Sequence, residues 1–146
     1  IEIKSAYNSE AIAEKLVSML EEYKMIDDCV ITSFDYKAIK KAKQCNEDIQ
    51  VGYILSVAYG DFYEMDDVDF FSINASFLTK RTVDAIHKSG KMVFAWTVNN
   101  ETSIKNLTNK GVDNIITDEP VLAREVIYSR DTSETLINMI KYVFNG

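Results

Sequence analysis

Apolar positions along this chain alternate between two periods. Short runs rich in β-branched and other apolar residues fall at 1–4, 29–32, 49–57, 68–74, 92–98 and 114–117, and each reads as a strand. Between them the spacing becomes helical. Ile12, Leu16, Met19, Leu20 and Tyr23 predict a first amphipathic helix, and residues 36–43 a second behind Asp35, which can cap it. A third spans 79–88 with Val83 and Ile86 on one face and stops at Ser89-Gly90. A fourth carries Ile104 and Leu107 between a capping Asn100 and a C-terminal Gly111. Asp118-Glu119-Pro120 opens a fifth, with Leu122, Val126 and Ile127 on its apolar face, which Arg130-Asp131 ends. From residue 132 a last helix carries Leu136, Met139, Ile140 and Val143, with its packing partner left open. Two irregularities stand out. Gly52 inside the third strand predicts a close backbone approach or a bend, and residues 58–67, with Gly60, aromatics and acids, form either an irregular loop or one helical turn.

Six strands, each followed by a helix or an irregular crossover, imply a parallel sheet covered by helices. Right-handed crossovers place the residues leaving the strands on one edge, so Thr97, Asn99 and Asp118 share it. An open doubly wound sheet and a (β/α)8 barrel both fit this order. No G-x-G-x-x-G fingerprint is present, which weakens the dinucleotide-binding alternative, while the barrel requires two more strands.

Length and charge narrow the field. With 146 residues, 47% of them hydrophobic, one globular domain is expected. A net charge of −7, from 16 basic and 23 acidic residues, argues against nucleic acid as a partner, because phosphate backbones call for a basic face. Cys29 and Cys45 fit no metal spacing and read as unpaired thiols. There is no run of 18 apolar residues, and Ile1-Glu2-Ile3-Lys4 is neither a signal peptide nor a natural start, so a fragment of a longer protein is expected. The N-x-S/T sequons at Asn74, Asn100 and Asn106 carry no weight without a secretory context.

The phrase Phe94-Ala95-Trp96-Thr97-Val98-Asn99, followed by Gly111-Val112-Asp113-Asn114-Ile115-Ile116-Thr117-Asp118-Glu119-Pro120, resembles the closing strands of the glycerophosphodiester phosphodiesterase family. The resemblance implies an α/β fold, a partial (β/α)8 TIM-type barrel whose six parallel strands are the third to eighth, with the first two upstream. It assigns residues 1–130 to the C-terminal part of that domain and leaves 131–146 as a helical tail. The implied activity is metal-dependent hydrolysis of glycerophosphodiesters to glycerol 3-phosphate and an alcohol, with Ca²⁺ or Mg²⁺ as cofactor. The catalytic histidines of the family precede Glu2, so the fragment alone is expected to have little activity. The alternative is a non-catalytic barrel-derived binding or regulatory domain whose partner, or self-association, covers its raw strand edges. Some family members carry a membrane domain ahead of the barrel, so anchoring of the parent stays open.

Glu2 and Lys4 are two apart on a strand and point to one side, giving a carboxylate for a hard cation and an ammonium for phosphate. On residues alone, such a pair is most often a solvated strand edge. The resemblance makes Glu2 a metal ligand and Lys4 a catalytic, substrate-binding residue. It also places Trp96 in a glycerol pocket, although a lone strand tryptophan is usually core. Ser33 and Phe34, at the exit of the second strand, are candidate substrate contacts with loop or core packing as the equal alternative. His87, the only histidine, falls near a helix C-terminus and reads as scaffold. Glu64, Asp66, Asp67 and Asp69 lack EF-hand order and read as a solvated acidic loop.

Overall fold

The structure, a computed structural model, describes residues 1–4 and 7–129. Its strands are β1 (Glu2–Ile3), β2 (Val30–Ser33), β3 (Gln50–Leu55), β4 (Phe70–Asn74), β5 (Met92–Trp96) and β6 (Asn114–Ile115). They form one six-stranded parallel sheet in sequence order. This is the architecture of a partial (β/α)8 barrel. The helices are α1 (Ser9–Glu22), α2 (Tyr36–Cys45), α3 (Lys80–Lys88), α4 (Glu101–Lys110) and α5, which starts at Pro120 and continues to the last described residue, Ser129. The helix expected from residue 132 lies outside the described residues.

Local chemistry fixes most boundaries. Asp35, Thr79 and Asn100 cap α2, α3 and α4 through side-chain oxygens that accept a first-turn N–H, and Gly111 closes α4 at φ 87°, where a side chain would be strained. Between β3 and β4 the irregular segment contains a single 3₁₀ turn, Phe62–Glu64, in place of a crossover helix. That turn still covers the sheet, because the Phe62 ring meets Phe71 edge-on at 5.0 Å.

The α1 stripe differs from the sequence expectation. Ala13, Val17 and Leu20 are buried, whereas Ile12, Met19 and Tyr23 are exposed. The helix is rotated so that its small residues pack inward, and Ile12, Leu16 and Met19 instead border a groove beside β1 with Ile1, Ile3 and the stem of Lys4.

Strand alternation sorts the sheet into two faces. Ile31, Val51, Phe71, Ile73, Val93 and Ala95 point toward the helices, are fully buried, and form the main core with Ile39, Val83, Ile86 and Ile104. Each such Val, Ile or Phe burial is worth about 1.5–3 kcal/mol. The other face is filled at its base by Phe70 and Phe94, stacked at 4.2 Å. Gly52 is a glycine because the Phe70 ring occupies the space of its missing side chain: a Cβ there would lie 2.0 Å from Phe70 Cε2.

At the N-terminal edge of the sheet, one brace occurs twice. Asp69 accepts from Val51 N at 2.7 Å and pairs with Lys43 of α2, and Asp113 accepts from Val93 N at 2.7 Å and contacts His87 of α3 at 2.9 Å. His87 therefore serves as scaffold. The acidic loop is not merely solvated, since Asp69 is in that brace and Asp67 accepts from the Tyr36 hydroxyl at 2.9 Å. Burial first, then the Asp67 contact, push the Tyr36 hydroxyl above its ordinary pKa. Cys29 and Cys45 are both free. No helix among the described residues is long and apolar enough to cross a membrane.

Candidate functional site

On the inner face, above the Phe70–Phe94 floor, the C-terminal ends of the strands enclose a cavity of about 240 Å³. Its wall is built by alternate residues of successive strands. β1 contributes Glu2, β2 and its exit Thr32 and Phe34, β3 Ile54, β4 Ser72, and β5 with its exit Trp96 and Thr97, while Ile116 follows β6. In parallel α/β folds this edge is where ligands bind.

Three of the residues singled out from the sequence meet here: Glu2, Phe34 and Trp96. The Trp96 indole is fixed on two sides, its Nε1 donating to the Ser72 carbonyl at 3.0 Å and its ring meeting Phe34 edge-on with centroids 5.9 Å apart. With the indole N–H engaged, Trp96 offers the cavity apolar ring surface. The Trp96–Thr97 peptide bond is cis.

The other two lie off that wall. Lys4 is exposed at the end of β1 and borders the neighbouring groove, which Glu2 also touches. Ser33 is fully buried on the helix side, where its hydroxyl donates to the Ile3 carbonyl at 2.6 Å and accepts from Asp35 N at 3.0 Å. That makes Ser33 a clamp between β1 and the β2 exit, not a cavity contact. Asp35 in turn accepts from the Ser9 hydroxyl and from Lys37 N, and these bonds, Ser9 first, hold its carboxyl below the ordinary range.

The β5 and β6 exits are tied together as their shared edge predicts. Asn99 donates to Asp118 Oδ2 at 2.7 Å and accepts from Thr117 Oγ1 and Asp118 N. Asp118 is thus a partner of Asn99, while Thr117 Oγ1 accepts from Glu119 N at the start of α5. Sequence reasoning passed over Thr32, Ile54, Ser72 and Ile116. The signal was the two-residue step from Gly52 to Ile54 and from Phe70 to Ser72, which puts each on the face that Gly52 and Phe70 define.

A hard divalent cation takes about six to eight oxygen donors, or six in the octahedral case. Among the described residues no group of three or more His, Cys, Asp and Glu side chains could hold a metal ion. Glu2 is a single carboxylate on this wall, short of a complete shell.

The Glycerophosphoryl diester phosphodiesterase family matches residues 2–122. The chain belongs to this family. It is 26% identical over 145 residues to the glycerophosphodiester phosphodiesterase of Caldanaerobacter subterraneus, covering 97% of this chain and 54% of that protein. It is 29% identical over 130 residues to the enzyme of the same name from Bacillus altitudinis, covering 82% of this chain and 51% of the relative. The chain therefore spans about half the length of these family members. Among solved structures, a glycerophosphodiester phosphodiesterase from Parabacteroides distasonis aligns with a TM-score of 0.81 at 21% identity, over 89% of this chain and 57% of that one, which shows the fold. A phosphodiesterase from Oleispira antarctica in complex with the product sn-glycerol-3-phosphate aligns with a TM-score of 0.66 at 28% identity, over 81% of this chain and 51% of its own.

Proposed function

We propose that this chain is the part of a glycerophosphodiester phosphodiesterase that supplies the glycerol-binding wall and one metal ligand. The observation that carries the reading is the convergence of Glu2, Phe34 and Trp96 from three strand ends on one cavity, in a chain of this family. In the reaction, water adds to phosphorus and the bond from phosphorus to the alcohol oxygen breaks, leaving glycerol 3-phosphate and the free alcohol.

Each residue has a physical task in that scheme. The Trp96 ring and Phe34 cover the carbon face of glycerol, which excludes water from one side of the ester. Lys4 stands two residues beyond Glu2, and its flexible four-carbon stem brings a point charge toward the phosphate from the groove side. Glu2 is the carboxylate on the wall and is one donor for Ca²⁺ or Mg²⁺, an ion that lowers the charge on phosphoryl oxygens when bound. His87 takes no part, since it is at the opposite edge of the sheet with Asp113. Proton transfer by histidine thus calls for residues beyond this chain, and residues 1–146 alone should turn over little or no substrate.

β1 and β6 are the two outer strands of the described sheet, and apolar Ile1, Ile12, Leu16 and Met19 border the groove along β1. That edge supports pairing with further strands of a parent protein or with a second copy.

The test is a coupled glycerol 3-phosphate assay on a longer protein containing this chain, run with Ca²⁺, Mg²⁺ or EDTA. Glu2→Gln should reduce kcat/KM by about a hundredfold or more, as loss of one metal-directed group does. Full turnover by the Glu2→Gln protein, or turnover unaffected by EDTA, would remove the metal role.

A further inference from the structure

Among the described residues three polar side chains are buried: Ser9, Ser33 and Ser72. Two are satisfied by the protein. Ser9 donates to Asp35, and Ser33 bonds both Ile3 and Asp35. Ser72 differs. It is only 2% exposed and lies on the cavity wall, yet among the described residues its hydroxyl has no hydrogen-bond partner. Its backbone belongs to the sheet ladder, and its carbonyl also accepts from Trp96 Nε1 at 3.0 Å, but neither bond involves the hydroxyl. A buried hydroxyl without a partner bears its full desolvation cost, and such groups are rare enough to call for an explanation.

The surroundings specify what would satisfy it. Ser72 pairs in register with Ile54 on one side and Phe94 on the other, and Phe70, two residues earlier, forms the floor beneath it. The indole N–H beside it is already bound to the Ser72 carbonyl. The hydroxyl is therefore a neutral group, able both to donate and to accept, in a cavity whose apolar wall is Phe34, Ile54, Trp96 and Ile116 and whose polar wall is Glu2, Thr32 and Thr97. An anion suits Lys4 in the neighbouring groove and a cation suits Glu2 on the cavity wall. An alcohol hydroxyl on a short carbon chain matches Ser72, with its C–H groups against the aromatic and aliphatic wall.

We propose that Ser72 Oγ hydrogen-bonds a hydroxyl of the glycerol moiety and thereby sets the preference for glycerol esters over their deoxy analogues. The assignment rests on the glycerophosphodiesterase reading. A polar site built for a hydroxyl rejects the analogue that lacks it, because its own buried group is then left unpaired.

The experiment is an NMR-monitored titration, in Ca²⁺, of the same longer protein containing this chain with three probes: sn-glycerol 3-phosphate, 3-hydroxypropyl phosphate and 2-hydroxypropyl phosphate. Wild-type chain should favour sn-glycerol 3-phosphate over one of the two deoxy esters by about tenfold, the scale of one buried hydrogen bond. Ser72→Ala should lose that preference while binding the disfavoured ester as the wild type does. Its melting temperature without ligand should be unchanged or higher, because the substitution removes an unpaired polar group. Ser72→Cys, nearly isosteric, should show the same loss of preference. A preference that survives in Ser72→Ala, no preference in the wild type, or a lowered melting temperature that reveals a protein partner for the hydroxyl would each overturn the Ser72 assignment and leave the glycerophosphodiesterase reading standing. If none of the three esters binds the wild-type longer protein, that reading fails and takes the Ser72 assignment with it.

Discussion

The two faces of the sheet use the same strands for opposite ends. Toward the helices, Ile31, Val51, Phe71, Ile73, Val93 and Ala95 are fully buried and interchangeable in kind. Toward the inside, neighbouring positions on those strands carry Thr32, Gly52, Ile54, Phe70, Ser72, Phe94 and Trp96, a mixed set that leaves a cavity. One face minimises exposed apolar area; the other gives up part of that gain to keep a shaped, partly polar space. Core packing and cavity lining are separated by a single residue step, so substitutions one position apart should behave differently.

The largest effect should come from the helix side. Phe71→Ala removes a fully buried ring that also meets Phe62, and it should destabilise the fold by about 3–5 kcal/mol. Urea unfolding followed by circular dichroism measures this, and Ser72→Ala, the next residue, should leave the midpoint where it was. Equal losses at positions 71 and 72 would erase the contrast between the faces.

Gly52→Ala comes next and acts from the inside. Its Cβ would collide with a Phe70 ring that is fully buried and stacked on Phe94, so the ring has little room to swing away. Overpacking of this kind costs about 1–3 kcal/mol. Phe70→Leu should relieve the clash, so the double variant should be more stable than the two separate losses predict. Strictly additive losses would mean that the ring does not need the glycine.

These contrasts also mark what the sequence made readable. The helix-facing layer was legible because burial is periodic: Val83 with Ile86 and Ile104 with Leu107 fell where helical spacing puts them, while Asp35 starts α2 and Asn100 and Gly111 bound α4 by local chemistry. The rotation of α1 was not legible. Two apolar stripes compete on that helix, and burial of Ala13 and Val17 rather than Ile12 and Met19 is decided by contact with the sheet and α2, not by hydrophobicity. At the site, Gly52 pointed to a close approach without naming Phe70 as its cause. Trp96 and Glu2 came from motif likeness. For Ser72 the two-residue step from Phe70 gave the face and nothing of the role, because a serine in a strand is ordinary until the structure shows it buried and unpaired. Ser33 erred in the other direction, since its place beside Phe34 in sequence put it on the opposite face.

Ser33 and Ser9 also set the smallest effect, which depends on pH. Both join Asp35, whose carboxyl is held below its ordinary value chiefly by the Ser9 hydroxyl and then by Lys37 N–H. A group whose folded pKa is depressed stabilises the fold fully above its unfolded value, about 3.9 for aspartate, and loses that contribution as pH falls through the folded pKa. Ser9→Ala raises the folded pKa toward the unfolded one. The variant should therefore be less stable than wild type at pH 7, and the two should converge as pH falls from about 5 toward 2. Urea midpoints at several pH values test this, and a gap that stays constant down to the lowest pH would show that Ser9 contributes packing and not the charged bond. Because this polar chain joins the first turns of α1 and α2 to the peptide after Phe34, the same titration should leave the Phe71 layer untouched. Hydrogen exchange of the Phe71 amide should then stay slow in acid where the Asp35 region has begun to open.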